Sequence, residues 1–182
     1  KSRIRENAYD TFRYFAQQGV TIKVISGDNP QTVADVARRA GIQNADLAID
    51  TTTLETEEEI REAAKKYTVF GRVTPEMKKA LIRALRRNGH TVAMTGDGVN
   101  DVLAMREANC AVAMAGGAQA ATQVAQLVLT ESDFSKMPGI VAEGRRVVNN
   151  IQRAATLFLV KNIFSLGLAL INIFAGLAYP VV

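Results

Sequence analysis

Cysteine, histidine and tryptophan are almost absent from this chain of 182 residues, which has one cysteine, one histidine and no tryptophan. The cysteine, Cys110, lies in the apolar stretch CAVAM, so a disulfide framework is excluded and a buried, reduced thiol in a cytoplasmic domain is expected. The histidine, His90, has no cluster of cysteines or histidines with which to form a zinc site. Aromatic residues do not interleave with basic ones, which argues against binding of RNA or single-stranded DNA.

The charge of the chain is unevenly distributed. The formal net charge is +4, and residues 141–182 supply most of the excess. From Leu157 onward the sequence is almost wholly apolar, whereas the preceding part alternates apolar and charged stretches as a soluble α/β domain does. Basic residues beside a hydrophobic segment are typical of the cytoplasmic flank of a membrane helix, so the distribution points to a membrane rather than to nucleic acid. The basic residues concerned are Arg145, Arg146, Arg153 and Lys161, against the single acid Glu143.

Patterns typical of strands and helices alternate as far as Leu129. Strands are predicted at residues 21–26, 47–49, 68–72, 91–95, 110–114 and 127–129, and helices at 3–18, 30–40, 57–66, 75–88, 101–108 and 118–125. The alternation predicts an α/β fold with a Rossmann-like, doubly wound parallel sheet. In such a sheet the site lies at the carboxyl ends of the strands, where Ser26, Arg72 and the turn Gly96–Asp101 all fall.

The last part of the sequence predicts one long helix from Ile140 to Ala178. Its first half is basic, and its second half, Leu157–Ala178, is apolar. At about 1.5 Å per residue the apolar half would be about 33 Å long, which is enough to cross the hydrocarbon core of a bilayer. The predicted division is a partial cytoplasmic domain at 1–139, a stalk helix at 140–156 and a transmembrane segment at 157–182, with residues 1–156 cytoplasmic.

The heptad TGDGVND combines two carboxylates with a tight glycine turn. Asp97 and Asp101 are four residues apart at a strand end, and hard oxygen ligands of this kind suit Mg²⁺. Gly96 and Gly98 would let the backbone approach a phosphate closely, and Asn100 could donate a hydrogen bond to a phosphate oxygen. The alternative for a single Asp-Gly pair is an ordinary solvated turn, but the whole heptad favours a site.

Three further features are weaker when taken alone. Ser26, Gly27 and Asp28 offer a hydroxyl, a bare backbone N–H and a carboxylate before a helix N-terminus, which suits an anion but also suits a plain capping turn. Lys78 lies in the first turn of a helix, where a cation opposes the helix dipole; neutralising a phosphoryl group would explain it, and a solvated lysine is the alternative. Arg72 is either a phosphate-binding fork or a surface residue.

The order of these motifs resembles that of the haloacid dehalogenase superfamily: hydroxyl-Gly-Asp, then a lysine, then Gly-Asp-Gly-x-x-Asn-Asp. TGDGVND with VFGRVTPEMK upstream is similar to the P-type (E1-E2) cation-transporting ATPases in particular. The continuation is similar as well: CAVAMAGGAQAATQVAQLVL, then ESDFSKMPGIVAEGRRVVNNI, then a membrane helix. The resemblance covers nearly the whole chain and implies the C-terminal part of a phosphorylation domain followed by a membrane helix.

The resemblance implies a role for each catalytic residue. Ser26 stands where the family usually has a threonine whose hydroxyl binds the phosphoryl group, and Gly27 and Asp28 complete that motif. Lys78 matches the lysine that neutralises the aspartyl phosphate. The implied reaction is ATP hydrolysis through an aspartyl phosphate, coupled to cation transport.

The resemblance also implies the cofactors, Mg²⁺ and ATP. Asp97 matches the Mg²⁺ ligand and Asp101 its second acidic partner, so both are expected at the metal and in catalysis. Arg72 and Asn100 match positions that contact nucleotide or phosphate. The expected partners are ATP, the transported cation and the lipid membrane, and the expected location is the cell membrane as a multi-pass protein.

Departures from the family pattern limit what this chain is expected to do alone. The phosphorylated aspartate of such pumps lies in Asp-Lys-Thr-Gly, and here no aspartate is followed by lysine. The nucleotide-binding domain and most membrane helices are also missing, so the chain by itself is expected to be inactive. The run from Asn100 to Met105, NDVLAM, differs from the usual Asn-Asp-Ala-Pro-Ala-Leu and points to a bacterial branch that includes calcium-uptake pumps.

Alternatives stay open for the transported ion and for the class of protein. Asn162 falls where calcium pumps have an asparagine ligand, but Ser165 falls where they have a glutamate, so calcium is one candidate and the sequence does not assign the ion. Lys161 and Asn162 are expected to face protein or a cavity, or Lys161 to reach the membrane interface. The other functional readings are a soluble haloacid dehalogenase-type phosphatase, which carries a similar Gly-Asp-x-x-Asn-Asp, and a non-catalytic, membrane-anchored interaction module.

Overall fold

The structure is a computed structural model that describes residues 7–131 and 133–175. The chain divides into two compact units, with the boundary between Pro138 and Gly139. The described residues contain six strands: β1 (Val24–Ile25), β2 (Ala48–Asp50), β3 (Val69–Gly71), β4 (Ala93–Gly96), β5 (Cys110–Met114) and β6 (Leu127–Leu129). They contain seven α-helices: α1 (Ala8–Gln17), α2 (Pro30–Arg39), α3 (Glu57–Lys66), α4 (Pro75–Arg87), α5 (Val102–Glu107), α6 (Gln119–Val124) and α7 (Met137–Ala175).

All strand pairs are parallel, as the alternating sequence pattern predicts. The strands lie in two three-stranded sheets, in the orders β1-β3-β2 and β4-β5-β6, where the sequence predicted one. Val69 of β3 packs with α2, whereas its neighbour Phe70 packs with α3 and α4 on the opposite face. Helices therefore cover both faces of the first sheet, and the predicted α/β fold is confirmed.

One apolar core joins the two sheets. Its most deeply buried large side chains are Phe70 from β3, Leu81 from α4 and Met105 from α5. Burying an apolar side chain of this size stabilises a fold by about 1.5–3 kcal/mol. Helix α4 packs one of its faces into this core, so it helps to hold the first sheet against the second.

Capping side chains set the helix starts close to the predicted positions. The Asn29 side chain accepts a hydrogen bond from the N–H of Gln31 at 2.9 Å, with Pro30 in the first turn of α2. Thr74 caps α4 in the same way through the N–H of Met77, at 3.2 Å. Because both caps lie just after strand ends, they fix where the loops at the carboxyl edge of the sheet turn into helix.

Helix α7 runs without interruption from Met137 to Ala175, so the predicted long helix is confirmed as far as the described residues extend. By length and composition it could cross a membrane. Its apolar side chains are exposed, including Leu157 at 71% and Phe164 at 65%. A continuous apolar surface of this kind is typical of a helix that meets lipid or other helices. The predicted three-part division at 139 and 156, and the surroundings of Lys161 and Asn162, stay predictions.

Candidate active site

The turn after β4 is built around the carboxylate of Asp101. One oxygen of this carboxylate, Oδ2, accepts hydrogen bonds from the backbone N–H groups of Asp97 and Gly98, at 3.3 and 3.2 Å. A β-carbon on Gly96 would lie 2.5 Å from the Cβ of Asp101, so only glycine fits at that position. The heptad is thus a closed turn whose second aspartate ties down the backbone of the first.

Lys78 completes the hydrogen bonding of this carboxylate. Its Nζ donates to Oδ1 of Asp101 at 2.7 Å, and the two side chains are only 15% and 12% exposed. The alternative of a solvated surface lysine is therefore excluded by the structure. An ammonium so largely withdrawn from water is stabilised by its carboxylate partner, which also offsets the unfavourable end of the α4 dipole.

Asp97 itself is exposed, and its backbone is fixed from a second loop. The N–H of Ala118 donates to the carbonyl oxygen of Asp97 at 2.7 Å. A β-carbon on Gly117 would lie 2.5 Å from the same oxygen. The loop after β5 therefore supports Asp97 closely, a role that the sequence pattern did not reveal.

Asn100 is also exposed, in the short 3-10 turn Val99–Asp101.

A cavity of about 370 Å³ opens beside Asp97. Its wall includes Gly116 and Gly117 from the loop after β5, together with Phe12 and Phe134. The rings of Phe12 and Phe134 have centroids 6.1 Å apart. Asp97 thus borders an open space at the carboxyl end of the second sheet.

Ser26, Gly27 and Asp28 form a compact turn at the end of β1. The Ser26 hydroxyl accepts a hydrogen bond from the N–H of Asp28 at 3.2 Å and lies 3.4 Å from its carboxylate. The turn is tied to the end of β3, because the N–H groups of Arg72 and Val73 donate to the carbonyl oxygens of Asp28 and Ser26, at 2.8 and 3.0 Å. The loops after β1 and β3 therefore form one hydrogen-bonded rim.

Arg72 has a left-handed backbone conformation, with φ of +53°. Its Nη1 donates to Oδ2 of Asp50, at the end of β2, at 2.9 Å. The Thr52 hydroxyl and backbone N–H, helped by Arg72, hold the pKa of the Asp50 carboxyl below its ordinary value. Sequence reasoning did not identify Asp50, because the strand order that places β2 beside β3 is not visible in the pattern.

The predicted residues therefore fall into two groups at the carboxyl ends of the strands. Ser26, Asp28 and Arg72 share the rim of the first sheet, and Lys78, Asp97 and Asp101 share the turn of the second. Within the described residues, no hydrogen bond or ion pair joins the groups directly, but Val73 and the start of α4 link the rim to Lys78.

The carboxylates of the site differ in their fitness as metal ligands. The part of the chain that the structure describes has no cluster of three or more histidine, cysteine, aspartate or glutamate residues placed to hold a metal ion together. Mg²⁺ needs fewer, since it usually takes one or two carboxylates and completes its shell with water and substrate phosphate. The exposed carboxylate of Asp97 fits such a site, whereas both oxygens of Asp101 already accept hydrogen bonds.

A family model described as haloacid dehalogenase-like hydrolase matches residues 1–109. With the parallel α/β fold and the aspartate turn already described, this match establishes that the chain belongs to the haloacid dehalogenase-like hydrolase family.

Within that family, the relatives are cation pumps. The chain is 49% identical to the Probable cation-transporting ATPase exp7 of Streptococcus pneumoniae over 96% of its own length, and 49% identical to the Calcium-transporting ATPase CtpE of Mycobacterium tuberculosis over 94%. It covers 22% and 21% of those proteins, about a fifth of their length. The resemblance to cation-transporting P-type ATPases is therefore confirmed.

Solved structures agree with this placement. The chain matches a zinc-transporting PIB-type ATPase in its E2.Pi state with a TM-score of 0.73 over 98% of this chain and 25% of the other. At 22% identity that match concerns the fold alone. The catalytic domain of the CPx-ATPase CopB-B matches with a TM-score of 0.58 at 27% identity, over 75% of this chain and 45% of the other.

Proposed function

We propose that this chain is the C-terminal part of the phosphorylation domain, with the following membrane helix, of a P-type ATPase that couples ATP hydrolysis to cation transport through an aspartyl phosphate. The observation that carries the proposal is the largely buried Lys78–Asp101 pair next to the exposed Asp97, at the carboxyl end of a parallel sheet. An acid for Mg²⁺ next to a fixed ammonium is an arrangement suited to phosphoryl groups. The relatives' similarity across the whole segment, including α7, supports it.

The site residues receive distinct roles in this proposal. Asp97 would hold Mg²⁺, which when bound supplies positive charge to the transferred phosphoryl group. Asp101, the second acidic residue expected beside the metal, would act chiefly by fixing the turn, since both of its oxygens already accept hydrogen bonds. Lys78 would neutralise a phosphoryl oxygen with donors that Asp101 leaves available.

The rim of the first sheet would contact the same phosphoryl group from the other side and, through Arg72, the rest of the nucleotide. The Ser26 hydroxyl and the N–H of Gly27 would contact the phosphoryl group, with Asp28 closing the turn. Arg72 and Asn100 would contact ATP, held mainly by a nucleotide-binding domain outside this chain. The guanidinium of Arg72 suits a phosphate because its planar fork of donors matches phosphate oxygens.

The two-sheet arrangement supports a place for the missing nucleophile. Strands β1 and β4 each lie at the edge of a sheet; Ser26 and Asp28 follow β1, and Asp97 and Asp101 follow β4. A further parallel strand between them would join the sheets and present its own terminal residue between Ser26 and Asp97. We infer that the phosphorylated aspartate of the complete pump enters there, beside the cavity near Asp97.

The cation is proposed from the relatives and α7 together. Several relatives are named as calcium-transporting ATPases, which favours calcium, and Asn162 would serve as a ligand within a multi-pass membrane domain. Residues 1–156 would be cytoplasmic, because the basic residues flank the apolar half of the helix on that side.

The decisive experiment replaces Asp97 by asparagine in the complete pump. Phosphoenzyme formation from labelled ATP should then need far more Mg²⁺ and should fall by about 10²-fold or more at limiting metal, because metal supplies much of the charge neutralisation. The matched control is Asp46→Asn, an exposed aspartate paired with Arg38 and remote from the site, which should phosphorylate normally. Unchanged phosphorylation of the Asp97 variant at limiting Mg²⁺ would rule out the assignment.

The alternative of a soluble phosphatase is favoured only by the general description of the family. It predicts that the chain alone hydrolyses small phosphate esters, whereas the proposed function predicts neither hydrolysis nor an acid-stable phosphoenzyme, since an aspartyl intermediate needs an aspartate held at the Mg²⁺ site. Purified chain incubated with Mg²⁺ and labelled ATP, and separately with p-nitrophenyl phosphate, distinguishes the two. A stable, Mg²⁺-dependent label on the chain alone would contradict the proposed function and favour the soluble phosphatase.

A further inference from the structure

The backbone of Arg72 is held in an unusual conformation by two neighbouring loops. A left-handed φ of +53° is uncommon for a residue other than glycine, asparagine or aspartate. The Arg72 N–H donates to the carbonyl oxygen of Asp28 at 2.8 Å. On the other side, the hydroxyl of the buried Thr51 lies 3.0 and 3.2 Å from the carbonyl oxygens of Gly71 and Arg72. Such conformations persist where the surroundings fix them, and they are concentrated at functional sites.

The side chain of Arg72 is held as well. Its Nη1 donates to Asp50, which lies on another strand, 22 positions away in sequence. The pair therefore depends on the tertiary fold and not on the spacing of neighbouring residues. Asp50 is itself oriented: its Oδ1 accepts from the Thr52 hydroxyl at 2.7 Å and from the Thr52 N–H at 3.1 Å. Its Oδ2 is left to face Arg72. The carboxylate is therefore fixed before it meets the guanidinium, and it uses one of the five guanidinium donors.

We propose that Asp50 is a positioning residue, which orients the Arg72 guanidinium so that its remaining donors face the phosphates of ATP. The inference rests on the proposed function, because it assigns Arg72 to the nucleotide. Asp50 does not touch the nucleotide; it acts through Arg72. The affinity for ATP rises because the long arginine side chain is ordered in advance, so that it loses less conformational freedom when the nucleotide binds.

The test is Asp50→Asn in the complete pump, with KM for ATP and kcat measured separately. An asparagine at this position keeps its amide oxygen on the two donors of Thr52 and turns its NH₂ toward Arg72, so the turn is retained and the pair is lost. KM for ATP should rise about two- to fivefold, the range expected for a partly exposed ion pair, with kcat unchanged. Asp46→Asn, which breaks the exposed pair with Arg38, is the matched control and should leave KM unchanged.

Two further variants separate this inference from the proposed function. Arg72→Ala should raise KM for ATP by about tenfold or more, as expected when charge-assisted hydrogen bonds to phosphate are removed. Adding Asp50→Asn to Arg72→Ala should change KM no further, since Asp50 then has nothing to orient.

Each failure has a distinct meaning. If Arg72→Ala leaves KM unchanged, the nucleotide role of Arg72 is wrong, and this inference fails with it. If Arg72→Ala raises KM while Asp50→Asn leaves it unchanged or lowers it, Arg72 keeps its role and the positioning by Asp50 is wrong. A fall in kcat without a rise in KM for Asp50→Asn, or an equal rise in KM with and without Arg72, also overturns the positioning role.

Discussion

Replacing Lys78 by methionine keeps most of the length of the side chain and removes its charge, so it isolates the contribution of the pair with Asp101. The two side chains are 15% and 12% exposed, which places them between two known limits. Breaking a fully buried pair from one side costs about 3–5 kcal/mol, and an exposed pair contributes about 0–1 kcal/mol. Asp101 keeps two backbone hydrogen bonds in the variant, which softens the loss. We expect Lys78→Met to lower the free energy of unfolding by about 2–3 kcal/mol.

Asp101→Asn should be at least as damaging, for a different reason. Both carboxylate oxygens of Asp101 accept hydrogen bonds, one from Lys78 and the other from the N–H groups of Asp97 and Gly98. An asparagine offers one acceptor and one donor group, so on one side its NH₂ must meet a donor. Leaving a buried polar group unsatisfied costs about 1–3 kcal/mol, in addition to the lost attraction between charges.

The measurement is urea unfolding of the whole chain in detergent micelles, followed by circular dichroism and by hydrogen exchange at the amides of Asp97 and Gly98. The matched control is Lys65→Met, which breaks the exposed pair between Lys65 and Glu62 and should cost less than about 0.5 kcal/mol. If Lys78→Met proved as mild as the control, and the two amides kept their protection in Asp101→Asn, the Lys78–Asp101 pair would not organise the turn, and the electrostatic argument for the site would be refuted.

Three further perturbations test other parts of the structure. Gly117→Ala should lower the free energy of unfolding by about 1–3 kcal/mol in the same assay, because its Cβ would meet the backbone of Asp97 at 2.5 Å, whereas Gly27→Ala, with nothing nearer than 3.9 Å, should be nearly neutral. Glu107 has a pKa below the ordinary 4.5, because its carboxylate is hydrogen-bonded to an arginine on α4. The ionised carboxylate therefore stabilises the fold above pH 4.5, and this stabilisation is lost as the pH falls through the lowered pKa. A pH titration of the free energy of unfolding should lack this component in Glu107→Gln. In the complete pump, a Gly-Gly insertion after Ala154 should leave the phosphoenzyme level intact and reduce transport, since it interrupts the continuous α7; transport at normal efficiency would contradict coupling through this helix.

The sequence predicted the kind and order of the elements well, because each depends on a local pattern. The strands Cys110–Met114 and Leu127–Leu129 and the helix Glu57–Lys66 begin and end where they were predicted. The first strand was predicted at 21–26, but only Val24–Ile25 is a strand, because β3, its partner, is itself only three residues long. Strand length thus depends on a partner that is distant in sequence, which no local pattern contains.

The site was predictable as a set of residues but not as a network. The motif order identified Asp97, Asp101 and Lys78. It does not indicate that Asp101 accepts hydrogen bonds from both Lys78 and the backbone N–H groups of the turn. Asp50 and Gly117 were missed altogether. Their roles depend on which strand end lies beside which: β2 adjoins β3, and the loop after β5 adjoins the turn after β4.

The position of Lys78 carries the strongest link between sequence and function. A cation in the first turn of a helix is unfavourable by a few tenths of a kcal/mol to about 1 kcal/mol unless an anion lies close by. Asp101 is that anion in this structure, and it also holds the backbone of Asp97. A phosphoryl group arriving beside Asp97 would share the ammonium with Asp101 through its remaining donors, and any shift of Lys78 would act through Asp101 on the N–H groups of the same turn. Lys78 and Asp97 should therefore respond to phosphate together, because one carboxylate connects them.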